Sequence, residues 1–67
     1  MDDICTRVGF LIRKHREKKE ISQEKLAELA ELHRTYIGQV ERGEKNLTLR
    51  SLERIAKALN INIKDLL

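Results

Sequence analysis

Apolar side chains recur at Ile4, Val8, Leu11 and Ile12, with His15 closing the row. Steps of three and four are the signature of one helix face, so a first helix is predicted from about Cys5 to Lys19. Glu20 and Ile21 then form a short connector. Ser22 is a good cap for a second helix, with Glu24 in its first turn where a carboxylate favours the helix dipole. Lys25 stands where a capping box would place Glu, so only half of that motif is present. Leu26, Leu29 and Ala30 are the predicted inner face. A third helix begins near His33 or Arg34, runs through Tyr36, Ile37, Val40 and Glu41, and stops at Gly43, which adopts positive φ without strain. Glu44 to Leu47 reads as a polar loop. Thr48 caps a fourth helix with apolar positions at Leu49, Leu52, Ile55, Ala56 and Leu59, ended by Asn60. Asn62 caps a last short helix, Ile63 to Leu66, with Asp65 at its third position.

Connectors of two to five residues join these segments, as in a compact helical bundle. The expected fold is therefore all-α, five helices in one domain spanning residues 1–67. With 67 residues there is little room for a deep cleft, since so short a chain buries only about 60% of its unfolded surface. A lone Cys5 excludes an internal disulfide, and two histidines without a second cysteine argue against structural zinc. Stability must come from helix packing or from oligomerisation. No apolar run reaches the roughly 18 residues of a bilayer span, and no signal-peptide core is visible, so a cytoplasmic location is expected.

Charge changes the picture through its placement. The net charge is +3, with a balance of +2 over residues 1–21, −2 over 22–32, +2 over 33–50 and +1 over the remainder. Arg34, Arg42, Lys45 and Arg50 make residues 33–50 a candidate phosphate-binding segment. Charge alone favours an ordinary solvated face. Ser22-Gln23-Glu24-Lys25 matches the S-x-x-K string of serine acyltransferases but lacks every partner motif. His15 and His33 share no helix face with a carboxylate cluster of metal spacing, and Cys5 reads as a small hydrophobe. No nucleophile–base constellation is present, so an enzyme is not expected, and no cofactor or metal is implied.

The second and third helices are short and joined by three or four residues, so they must cross steeply with a small residue at the contact. Ala27 supplies it, facing Ile37 and Val40. At this point Ser22 to Gly43, SQEKLAELAELHRTYIGQVERG, resembles the helix-turn-helix of the Cro and phage-repressor (Xre-like) family. VGFLIRKHRE, from Val8 to Glu17, looks like that family's first helix, and LTLRSLERIAKALNINIKDLL like its fourth and fifth. Among family members the run HRTYIGQVERG looks most like the stand-alone controller proteins of restriction–modification systems.

The resemblance implies a lambda-repressor-like DNA-binding domain, with residues 22–43 as its helix-turn-helix core. It would regulate transcription from a palindromic operator as a homodimer. Phage-type repression, or an antitoxin-like adaptor that binds protein through the same fold, are the alternatives. The third helix would enter the major groove. There Arg34 would fork onto guanine, Thr35 would meet a thymine methyl, and Gln39 would pair with adenine. Tyr36 is the fourth base reader, although its hydroxyl could serve a phosphate instead. Ser22, Gln23, Arg42, Lys45, Asn46 and Arg50 are the implied phosphate contacts. Arg16 and Glu41 match a largely buried ion pair of the family, structural in role. The apolar tail, Ile61, Ile63, Leu66 and Leu67, exceeds what four helices absorb; part of it, with exposed positions of the fourth helix, is the expected dimer interface, while at least one of Ile63 and Leu66 is expected to close the monomer core. Double-stranded operator DNA, a second copy and RNA polymerase are the implied partners.

Two positions depart from the family pattern. Glu31 stands in the turn where Gly is common, and Gly38 lies inside the third helix. Gly38 either allows a close approach of that helix or marks a neutral change at an exposed site.

Overall fold

The structure, a computed structural model, describes residues 3–67, so residues 1 and 2 of the expected domain lie outside the described range. Four α-helices follow in order: α1 (Ile4–Lys18), α2 (Gln23–Ala30), α3 (Arg34–Glu41) and α4 (Leu49–Leu59). The fifth element, Ile63–Leu66, is a 3₁₀ turn and not the α-helix that a five-helix bundle requires. Its backbone bonds have the three-residue spacing of a 3₁₀ turn: the Asp65 N–H donates to the Asn62 carbonyl at 3.0 Å and the Leu67 N–H to that of Lys64 at 3.3 Å. The Asn62 backbone N–H donates to Asp65 Oδ2 at 3.1 Å and holds that turn at its start.

Local chemistry explains the boundaries. Ser22 Oγ accepts from the Lys25 N–H at 2.9 Å, and Thr48 Oγ1 accepts from the Ser51 N–H at 3.0 Å. Each satisfies one of the free donors at a helix start. All four α-helices end through a residue of positive φ: Glu20 at 58°, Glu31 at 59°, Gly43 at 75° and Asn60 at 59°. After α2 and α4 the chain then folds back in a Schellman turn, with Leu32 N–H on the Ala27 carbonyl at 2.9 Å and Ile61 N–H on the Ala56 carbonyl at 3.0 Å. Glutamate at two of these positions stores backbone strain, because an L-residue there costs about 1–2 kcal/mol. Glu31→Gly is expected to stabilise the fold by about 0.5–1 kcal/mol after the larger unfolded-state entropy of glycine is subtracted. A thermal melt should then rise by about 2–8 °C. A fall in the midpoint would show that the Glu31 side chain contributes.

The core joins Val8 and Ile12 of α1, Leu26, Ala27 and Ala30 of α2, Ile37 and Val40 of α3, and Leu52, Ile55, Ala56 and Leu59 of α4. Leu66 closes it from below with no exposed surface. Leu66 is thus the tail residue that closes the monomer core, and its place in the expected dimer interface is corrected: the 3₁₀ turn packs it inward against α1 and α4. Ile61 and Ile63 are half-buried against the same core, and Leu67 is exposed.

Three apolar positions also differ from the predicted inner faces. α2 buries Leu26, Ala27 and Ala30, which turns Leu29 toward solvent. Ile4 and Leu49 are the first residues of their helices, beyond the reach of the core, and Leu49 is 81% exposed.

Candidate nucleic-acid interface

α2 and α3 cross with Ala27 and Ile37 buried, as the spacing requires. The crossing leaves an open cleft lined by Arg16, Ser22, Gln23, Glu24, Arg34, Thr35, Gly38 and Arg42. Five residues expected to contact DNA therefore meet at one place: Ser22, Gln23, Arg34, Thr35 and Arg42. The positive end of the α2 dipole, with its free backbone N–H groups, opens at the same rim.

Two buried glycine contacts shape this region. Gly38 is buried, which removes the reading of it as an exposed, neutral position. A Cβ there would lie 3.2 Å from Arg42 Nη1 and 3.5 Å from Gln23 Oε1, so glycine clears the cleft floor for those two side chains. Gly9 is the second. A Cβ on it would overlap the Val40 carbonyl oxygen and lie 3.0 Å from that of Glu41. α1 thus packs with its backbone directly on the end of α3. Sequence reasoning assigned Gly9 no role; a glycine within a helical apolar pattern, one residue after Val8, was the available signal.

Beneath the cleft floor lies a charged network. Arg16 Nε donates to Glu41 Oε2 at 2.7 Å and Nη2 donates to Glu41 Oε1 at 3.1 Å. Arg16 Nη1 donates to the Ile21 carbonyl at 2.9 Å. The Arg16 side chain is 12% exposed and that of Glu41 2%. The hydrogen bonding of Arg16 to the Glu41 carboxylate is the main influence that raises the already high pKa of Arg16 further, against the effect of burial. Gln23 Nε2 donates to Glu41 Oε1 at 2.9 Å, a bond not foreseen from sequence. It fixes the orientation of the Gln23 amide, whose second N–H has no protein partner among the described residues.

Arg34 and Thr35 open the cleft-facing side of α3, both exposed. Arg34 Nη1 lies 3.6 Å from Glu24 Oε2, a loose exposed pair of little energetic weight. Gln39 is half-buried, as is Tyr36, whose ring packs against the core. Neither lines the cleft.

The remaining phosphate candidates spread along the loop after α3. Lys45 is exposed and forms no ion pair among the described residues. Asn46 Oδ1 accepts from Cys5 Sγ at 3.2 Å, which ties the loop to α1. Arg50 borders a different depression, together with Leu29, Ala30, Glu31, Glu53, Arg54 and Lys57. Arg42 is bound to Glu44 through two hydrogen bonds, Nε to Oε2 at 2.9 Å and Nη2 to Oε1 at 3.2 Å. That hydrogen bonding raises the Arg42 pKa and lowers that of the Glu44 carboxyl.

Two short helices packed together across a three-residue turn, the second bordering an open cleft with polar side chains, are the arrangement of the helix-turn-helix class. The chain belongs to the helix-turn-helix family, whose model matches residues 12–66. It is 54% identical over 56 residues to the control protein C.SmaI of Serratia marcescens, an alignment covering 84% of this chain and 67% of that protein. Its fold matches the restriction-modification controller protein C.AhdI of Aeromonas hydrophila with a TM-score of 0.92 and 40% identity, over 94% of this chain and 96% of that one. It also matches C.Esp1396I bound to a 25 base pair operator site, with a TM-score of 0.85 and 42% identity, over 92% and 82% of the two chains.

Proposed function

We propose that this protein is a sequence-specific DNA-binding regulator of transcription, the controller of a restriction–modification system, acting in the cytoplasm as a homodimer on a palindromic operator. The convergence of Ser22, Gln23, Arg34, Thr35 and Arg42 on one open cleft carries the reading. In it, Arg34, Thr35, Tyr36 and Gln39 face base edges from α3. Gln23, Arg42, Lys45, Asn46 and Arg50 hold the backbone on either side, and Ser22 serves the helix start. The named relatives support it, since one of them is held on operator DNA. Selection of bound duplexes from a random pool tests the proposal. A palindromic consensus, bound with an affinity that falls steeply as salt rises, is the expected result. Affinity unchanged from 50 to 200 mM salt would exclude a phosphate-driven interface. Contact with RNA polymerase would appear as a change in transcription from the selected operator with purified polymerase when this protein is added.

Size supports the dimer. The longest extent of the chain is 31 Å, whereas 25 base pairs of duplex run to roughly 85 Å at 3.4 Å per pair. One copy reads only part of such a site. Ile4, Leu49 and Leu67 are exposed around an apolar groove that Cys5, Val8, Leu47 and Leu52 complete. This groove, with Ile61 and Ile63 at hand on the tail, is the surface a second copy would cover. Leu49→Glu is expected to convert dimer to monomer in sedimentation equilibrium while leaving the monomer fold intact, because Leu49 contributes nothing to the core. A dimer of unchanged affinity would place the interface elsewhere.

A further inference from the structure

The loop between α3 and α4 holds an arrangement that the proposed function does not use. Arg42 and Glu44 are two residues apart on either side of Gly43, whose φ of 75° turns the chain back. The Glu44 N–H donates to the Gln39 carbonyl at 2.8 Å and fixes the Glu44 backbone under the end of α3. The carboxylate then meets the Arg42 guanidinium edge-on, through Nε and Nη2. Two parallel N–H···O bonds are also how a guanidinium grips a phosphate. Arg42 at the same time borders the cleft, with Nη1 over Gly38. A carboxylate therefore occupies the fork that a DNA phosphate would take.

We infer that Glu44 is an internal competitor for the DNA backbone: it fills the Arg42 fork in the free protein and must be displaced before that edge can hold a phosphate. The inference rests on the proposed function, in particular on Arg42 as a phosphate contact. Lys45 and Arg50 form no ion pair among the described residues, so Arg42 is the backbone candidate subject to this competition. Phosphate contacts carry no base sequence. Displacement of Glu44 thus weakens binding to every duplex by the same factor, and Glu44 sets the strength of the sequence-independent part of the affinity without altering discrimination.

The test uses the full chain, the operator obtained by selection and a scrambled duplex of equal length, all at one salt concentration. E44Q keeps the shape of the side chain and removes its charge. It is expected to tighten both duplexes by about two- to fivefold per bound copy, the range of an exposed ion pair. The R42Q variant is expected to weaken both, and E44Q added to R42Q to have no further effect. Equal tightening by E44Q in the R42Q background would overturn the inference, because general repulsion from DNA would then suffice. Tightening confined to the operator would overturn it as well. If R42Q weakens binding while E44Q is silent, the inference fails and Arg42 stands as a contact. If neither change affects either duplex, both the inference and the role of Arg42 fall. Both positions are exposed, and thermal melts of the variants confirm that binding, not folding, is being read.

Discussion

Arg16→Ala is expected to lower the unfolding free energy by about 3–5 kcal/mol, read from urea unfolding curves. The size follows from what remains behind. Glu41 stays buried but loses both hydrogen bonds from Arg16, retaining only the Gln23 amide. A carboxylate 2% exposed has no water to replace them. The Ile21 carbonyl loses its Arg16 donor too, which loosens the connector between α1 and α2. A chain of this length commands about 3–10 kcal/mol in total, so the variant sits near the edge of folding. The cause can be separated from lost packing. Arg16→Met combined with Glu41→Leu removes both charges together and should recover much of the loss, since apolar replacements of a buried pair are often tolerated. A loss below about 1 kcal/mol for Arg16→Ala would show that the pair is effectively solvated.

Gly9→Ala is the second large effect, about 3 kcal/mol of destabilisation, at the upper end for overpacking. In most helices the same change stabilises by about 1 kcal/mol. Here the added methyl has no direction to move. Its obstacles are the backbone carbonyls of Val40 and Glu41, not the end of a flexible side chain. α1 must lift from α3, and the Arg16–Glu41 hydrogen bonds span that contact. Gly9→Ala therefore tests the same interface from the packing side. Unfolding curves should show a lower midpoint with an unchanged slope, as a pure loss of stability requires. Stabilisation would mean that α1 and α3 are further apart than they stand here.

The helix order, the Ser22 and Thr48 caps, the stops at Gly43 and Asn60 and most of the core were legible because each depends on neighbours in the chain. Periodicity, capping hydroxyls and permissive residues act within one or two turns. Glu31 was legible as a left-handed turn through the family pattern, whereas the equivalent state of Glu20 was not, since glutamate carries no signal for positive φ. Arg34 and Thr35 were legible as exposed polar positions of α3, beside the buried Ile37 and Val40. Leu29 and Leu49 were misplaced for a related reason. A helix periodicity identifies a stripe but not its edges, and both leucines lie just outside the area the other helices cover.

Contacts between residues distant in sequence divide differently. The Arg16–Glu41 pair could be anticipated only through resemblance, and the Gln23 bond to Glu41 not at all. Gly9 against the α3 carbonyls and Leu66 in the core depend on how closely helices approach in space. Fold class, helix boundaries and the sign of the third helix's outer face follow from local patterning, since hydrogen bonding and hydrophobic periodicity are short-range. Which apolar residues stay exposed, which glycine tolerates no methyl, and which arginine is already held by a carboxylate were decided by tertiary packing. Burial, steric overlap and ion pairing depend on distance in space, and distance along the chain does not report it.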